Sequence, residues 1–481
     1  MSNSKQGVSR PQPHGHPYMP NSVPATRDEM LRSLGVPRVE ALYDEVIPDE
    51  VRLKGALDLP EPIRSEFELS EHVMGVLNKN TYIGGRQRSF LGAGCYRHYV
   101  PALCDEIAQR AEFLTAYCGD TYSDHGKAQA IFEYTSLMGE LLDMDVVSYT
   151  CYDGSQAAAS ALRMAIRLAD SPMRSVLLVP STMNPEVRSM LTEYCRNVAE
   201  IETFAHRPDG RADLGDLSGR LKSGHIAAVY FENPSYLGFI ETGARQIAAL
   251  AHEGGALCVV SPEVASLGIM ESPANYGADI VCGDIQPLGM HVQFGGGQAG
   301  FIASRHERRF IEAFPTYMYG ICETKNEGEY GWGRALNYRC SHGSRENANE
   351  YFGTETGLWA ITAAVYLATL GPAGMRELGE TIIQRSHYAA KVLSDVPGLQ
   401  VNPLGGAFFQ EFIVRFDGPG KTGKTVDEVN RALLSRGIFG GKSLVKDFPH
   451  LGQSALYAFT ETTTADDIDE LAGALRDITR R

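Results

Sequence analysis

A chain of 481 residues has room for two or three domains and a large core. Its 43% hydrophobic and 21% charged residues are ordinary for a globular protein. A formal net charge of −15 argues against a nucleic-acid footprint and an anionic membrane surface, both of which need a basic face. The longest basic run, RHERR at 305–309, reads as the start of a solvated helix.

In chain order, residues 1–26 are rich in Pro, Ser, His and Asn and read as a flexible arm. They show no apolar leader, so no secretory signal is expected. Helical patterns at 28–34, 39–43 and 70–78 make an N-terminal helical segment, 27–83. A Gly/Tyr-rich loop, GGRQRSFLGAGCYRHYVP, covers 84–101, and Pro101 opens a helix expected to reach about 117. The polar loop YCGDTYSDHGK precedes a helix at 128–142.

From there short apolar strands alternate with helices. Strands are expected at 146–149, 175–179, 226–231, 256–260 and 279–283, with helices at 155–168, 185–195 and 244–252. Such alternation predicts a doubly wound, mostly parallel α/β sheet, a large domain spanning 84–371. A strand at 299–304 follows a loop rather than a helix and is expected to run antiparallel. The charge-free run 356–375 suits a buried core helix better than a membrane span. Past 372 the pattern changes. A helix at 375–393, strands near 398–402 and 411–416, and helices at 426–436 and 465–476 form a smaller C-terminal α+β domain, 372–481.

Nine cysteines, at 95, 104, 118, 151, 195, 258, 282, 322 and 340, make no CxxC pair. They read as buried free thiols of a reducing, cytoplasmic compartment, and zinc is not expected without paired ligands. Two stretches invite a site. ADIVCGDIQPLGMHVQFGGGQAGFIASR (278–305) joins two strands through a Gly-rich turn, and on spacing alone a strand–loop–strand without chemistry explains it equally well. The run Tyr152-Asp153-Gly154-Ser155-Gln156 ends a strand and opens a helix. Glycine and a hydroxyl there form either an anion site or a plain N-cap by Ser155.

The motifs GADIVCGDIQPLG, FGGGQAGFIASR and SFLGAGCYRHYVP resemble subunit 1, the alpha subunit, of the glycine decarboxylase P proteins. GAFFQEFIVR, VDEVNRALLSRGIFGG and TETTTADDIDEL extend the resemblance over about residues 17–478. It implies the aspartate-aminotransferase-like fold, fold type I, of enzymes that use pyridoxal phosphate (PLP). In that family the catalytic lysine belongs to subunit 2. The matching position here is Gln286, and an amide cannot form a Schiff base. Ser261 stands where subunit 2 carries the aspartate that holds the cofactor's ring nitrogen, with Glu263 two residues on, past Pro262.

The resemblance therefore implies a subunit whose PLP is bound covalently by its lysine-bearing partner, subunit 2, in a heterodimer or α2β2 assembly. Together they would decarboxylate glycine and pass the aminomethyl group to the lipoyl H protein. Tyr96, His98 and Tyr117 are the expected catalytic contributors, and Ser155, Gln293 and Gly296 the expected cofactor contacts. For the tyrosines, interface packing is the competing reading. The chain departs from the family at 118–127 and 345–356, both loops, where function is often carried. A divergent PLP heterodimer acting on another amino acid or amine, or a noncatalytic scaffold, are the alternatives.

Overall fold

The computed structural model describes residues 23–480 apart from 45, 56, 84–86, 115–124, 340, 350–355, 419 and 421. Most of the expected 1–26 arm and the expected contributor Tyr117 therefore lie outside the described residues. Contacts divide the chain into two units, Met1–Thr81 and Tyr82–Arg481.

The first unit holds α1 (Pro24–Leu34), α2 (Glu40–Asp44) and α3 (Glu66–Leu77). Proline in its first turn favours the start of α1, and Gly35 ends it in the left-handed region (φ 71°). Ser65 caps α3, its hydroxyl accepting from the Glu68 N–H. Arg52 reaches back to Asp44 at 2.8 Å and to the carbonyls of Tyr43 and Ile47. None of the three helices buries a residue.

The second unit opens with β1 (Arg88–Ser89), α4 (Ala102–Ala108) and α5 (His125–Leu142). Strand β2 (Val146–Val147) leads to α6 (Gly154–Leu168), and then β3 (Val176–Pro180), α7 (Pro185–Tyr194), β4 (Glu200–Phe204), α8 (Leu214–Leu221), β5 (Ile226–Asn233), α9 (Ala244–Glu253) and β6 (Leu257–Pro262) alternate. β7 (Ile280–Asp284) and β8 (Gly300–Ser304) follow, then α10 (Arg308–Ala313), a hairpin of β9 (Met318–Glu323) and β10 (Tyr330–Ala335), and the single turn α11 (Ser341–Ser344). The rest is α12 (Gly357–Ser394), β11 (Gln400–Val401), β12 (Glu411–Arg415), α13 (Val426–Leu434), β13 (Ile438–Phe439), β14 (Lys442–Ser443), β15 (Ser454–Ala458) and α14 (Ala465–Thr479).

Seven strands form the main sheet in the order β2-β8-β7-β6-β5-β3-β4. The five from β3 to β7 are parallel, and β8 turns antiparallel against β7, as a direct loop connection allows. β3 and β8 are buried along their full length because helices cover both faces. One face packs through Ile131, Tyr134, Val260 and Tyr366, the other through Leu162, Leu177, Tyr230 and Phe310. The smaller sheet, β11-β12-β15-β14, is antiparallel and packs Phe412 and Tyr457 against Leu471 of α14. β1 pairs with β13, which ties the 84–101 loop to this C-terminal layer.

α12 is long and apolar enough to cross a membrane by length and composition. Its inner side nevertheless buries Ala360, Ile361, Ala363 and Tyr366 in the core. It breaks at Gly371 (φ 59°, ψ −173°) just before Pro372, so two helical stretches meet at the position where the sequence changes pattern. The helix opened by Pro101 stops at Ala108 rather than near 117, because Arg110 is extended (φ −67°, ψ 137°) ahead of a single 3₁₀ turn. Strand β4, helix α8 and the β9–β10 hairpin are additions to the sequence reading.

Candidate functional site

The carboxyl ends of β5, β6 and β7 meet the N-terminus of α6 around a cavity of about 190 Å³. This edge of an open parallel sheet is where such folds place ligands. Tyr96 from the 84–101 loop and Glu411 from β12 close it from the C-terminal layer.

The first turn of α6 leaves backbone N–H groups without helical partners, and such groups attract anions. Here the chain's own carboxylates take them. Asp153 is the N-cap and accepts from the Gln156 N–H at 2.7 Å. Asp284, the last residue of β7, accepts from the Gly154 N–H at 2.8 Å and from the Gln286 N–H at 2.8 Å. Glycine is required at 154, since a Cβ there would lie 2.9 Å from the Asp284 Cβ. Burial pushes Asp284 up to about 7, although its backbone donors pull the other way. Ser155 lines the cavity, and the cap is Asp153 rather than Ser155.

Gln286 is fully buried. Its Oε1 accepts from the Tyr96 N–H at 3.2 Å, and its Nε2 donates to the carbonyls of Tyr96 at 2.9 Å and Met290 at 3.1 Å. The amide is used up in holding the 84–101 loop against the end of β7. The Tyr96 hydroxyl in turn accepts from the Gly94 N–H at 2.9 Å and bonds Glu411. The Tyr96 and His98 rings meet edge to face at 6.2 Å. His98 Nδ1 lies 2.9 Å from Glu461 Oε2. Burial opposes charge on this imidazole, but Glu461 outweighs it and holds His98 above its usual value.

Other acids surround the cavity. Glu232 accepts from the N–H groups of Asn184 and Tyr236, and burial pushes it up to about 7. Glu411 accepts from the Ala93 N–H at 2.7 Å and is pushed up to about 8, again by burial. Strand β6 ends at Pro262, so Glu263 turns away from the strand line and caps a 3₁₀ turn through the Ala265 N–H. Among the described residues no Lys, Arg or His lines the cavity.

These residues do not fit PLP. Gln286, where the resemblance leads one to expect the lysine position, is an amide with its oxygen and nitrogen already hydrogen-bonded, and the end of β6 presents Ser261 rather than a carboxylate. The helix N-terminus that would receive the phosphate already receives Asp284, beside further carboxylates that repel an anion.

Of the expected site residues, the structure brings Tyr96 and Ser155 to one cavity and His98 beside Tyr96. Gln293 (φ 48°) and Gly296 sit apart from it on an exposed loop. Asp284, Glu232 and Glu411 escaped sequence reasoning. Their signal was available: each is a carboxylate at the edge of, or inside, an otherwise apolar strand, a costly placement unless paired or neutral.

Residues 16–475 match the family described as Glycine cleavage system P-protein. A Pyrococcus abyssi protein named "Probable glycine dehydrogenase (decarboxylating) subunit 1" is 37% identical over 463 residues, 96% of this chain and 99% of its own length. A Desulfitobacterium hafniense protein of the same name is 35% identical over 464 residues, with 96% and 99% covered. The crystal structure of a glycine decarboxylase (P-protein) in inhibitor-bound form superposes with a TM-score of 0.82 at 32% identity, covering 96% of this chain and 100% of that one. A Burkholderia pseudomallei sphingosine-1-phosphate lyase superposes at 0.60 with 13% identity over 90% of this chain and 94% of that one, a likeness of fold alone. The architecture is fold type I, and with a family match running from residue 16 to 475 the chain belongs to the glycine cleavage system P-protein family.

Proposed function

We propose that this chain is the subunit of a two-subunit glycine dehydrogenase (decarboxylating) that lacks the PLP lysine. The observation that carries the reading is Gln286. The P-protein scaffold is kept from end to end, yet the lysine position holds an amide whose hydrogen bonds all go to Tyr96 and Met290. A related, lysine-bearing subunit 2 then supplies the covalently bound PLP, glycine is decarboxylated there, and the aminomethyl group passes to the lipoyl arm of an H protein.

This chain's part is to complete the partner's site. Tyr96 is locked by Gln286 and Glu411, and His98 by Glu461, so both side chains are preorganised rather than mobile. Gln293 and Gly296, on an exposed loop, and Tyr117 are the further candidates for contact with the partner. The buried thiols of Cys104, Cys258 and Cys282 fit a cytoplasmic protein.

Reconstitution tests the reading. The chain is co-expressed with a subunit-2-like protein and assayed for exchange of labelled bicarbonate into the glycine carboxyl with an H protein present. Activity should need both chains. Full activity of the partner alone, or activity with another amino acid and none with glycine, would refute it.

A further inference from the structure

The cavity at the ends of β5, β6 and β7 has walls of one sign. Asp153, Glu186, Glu232, Glu263, Asp284 and Glu411 line it, with no cationic side chain among the described residues. An acidic cluster alone proves little, because protons can neutralise it. A second observation is independent of charge. Gln410 is 3% exposed and Ser235 7% exposed; both stand in the cavity wall, and neither the Gln410 Oε1 nor the Ser235 Oγ meets a hydrogen-bond partner. An amide oxygen only accepts, and a buried acceptor without a donor is costly. The Gln410 side chain bonds Glu263, and its oxygen is left open to an N–H donor that no described residue supplies.

Size and spacing narrow the ligand. Among the described residues no three carboxylate, imidazole or thiol groups converge as metal ligands. A compact metal ion is thus disfavoured against a charge carried on several N–H bonds. The volume of about 190 Å³ is many times the roughly 10–15 Å³ that one water needs, enough for a short alkyl chain. Burial drives Glu232 up to about 7 and Glu411 up to about 8, as expected of acids that lack a counter-cation.

We propose that this cavity binds a small alkylammonium or diammonium cation without an anionic group, held by Glu232, Glu263, Glu411 and the Gln410 amide oxygen. Glycine is not such a ligand, because its carboxylate would face the acidic wall. The site lies in this chain's own cavity and needs no turnover, so it stands or falls apart from the decarboxylase reading.

The test is isothermal titration of the full chain with 1,4-diaminobutane, glycine and inorganic phosphate in turn. Saturable one-site binding is expected for the diamine only. Glu232→Gln and Glu411→Gln keep the acceptors for the Asn184 and Ala93 N–H groups, so both variants should fold, with circular dichroism as the check. Each should weaken diamine binding at least tenfold, whereas the exposed Glu193→Gln should leave it unchanged. No saturable heat with the wild-type chain overturns the proposal and leaves the acids neutralised by protons. So does undiminished diamine binding in both cavity variants, or saturable binding of phosphate instead.

Discussion

At the scale of single residues, Gln286 carries the proposed function and is also a structural part. Its three hydrogen bonds reach the Tyr96 N–H, the Tyr96 carbonyl and the Met290 carbonyl inside a fully buried pocket. The purified chain should form no visible-absorbing, borohydride-stable PLP adduct. The nearest downstream lysine, Lys325, sits exposed at the tip of the β9–β10 hairpin. Gln286→Lys should not restore one either, since Asp284 still fills the α6 N-terminus, and mass spectrometry after borohydride treatment reads the result. Gln286→Ala strands three buried backbone groups and should lower unfolding free energy by about 2–4 kcal/mol, measured by denaturant titration. Glu411 gives a pH-dependent counterpart. Its carboxyl is pushed from 4.5 up to about 8 in the folded chain. A raised acid binds its proton more tightly when folded, so its contribution is complete below about 4.5 and is lost as pH climbs through about 8. Glu411→Gln should therefore gain stability relative to wild type between pH 5.5 and 8.5, on the order of 2–3 kcal/mol. A stability gap that stays constant across that range would disprove the shift.

At the scale of elements, Gly371 shows backbone conformation acting without packing. A Cβ there would meet nothing within 4 Å, yet its φ of 59° with ψ of −173° is a region open almost only to glycine. Gly371→Ala should cost about 1–3 kcal/mol from strain alone; an unchanged unfolding midpoint would show that the kink relaxes freely. The Gly-Pro pair made this break readable in advance, and the apolar runs of β3, β5, β6 and β7 were readable because strands buried on both faces leave nearly continuous apolar sequence. β4 was not readable, since its alternate residues Glu200 and Glu202 face outward and dilute the signal. α8 was hidden by Gly215 and Gly219, which lower helix propensity. The site divided in the same way. The glutamine at 286 was visible in the sequence, but its pairing with Tyr96 spans 190 residues and no local pattern encodes it. The closing of the α6 anion site by Asp284, 130 residues from Gly154, is likewise a product of the fold.

At the scale of the whole molecule, the first unit carries an unusual surface. Phe67 is 76% exposed, Val51 73%, Val46 72% and Leu59 71%, and α1 to α3 bury nothing. Apolar exposure of this kind is what an association surface offers. In the proposed enzyme that chain is subunit 2, and the assembly is an obligate heterodimer, alone or paired as α2β2, of the kind that buries on the order of 2,000–5,000 Å². Co-expression followed by size exclusion with mass measurement should recover one copy of each subunit, or two of each. Phe67→Ser separates assembly from folding, because a side chain this exposed in the lone chain should change its stability by less than about 0.5 kcal/mol. The variant should keep the thermal midpoint of the isolated subunit and weaken association with the partner at least tenfold. If the midpoint falls while association holds, Phe67 packs within this chain and not against a partner. If only homodimers are recovered and the lysine-bearing protein is fully active alone, the heterodimer fails, and the assignment of this chain to a shared active site fails with it.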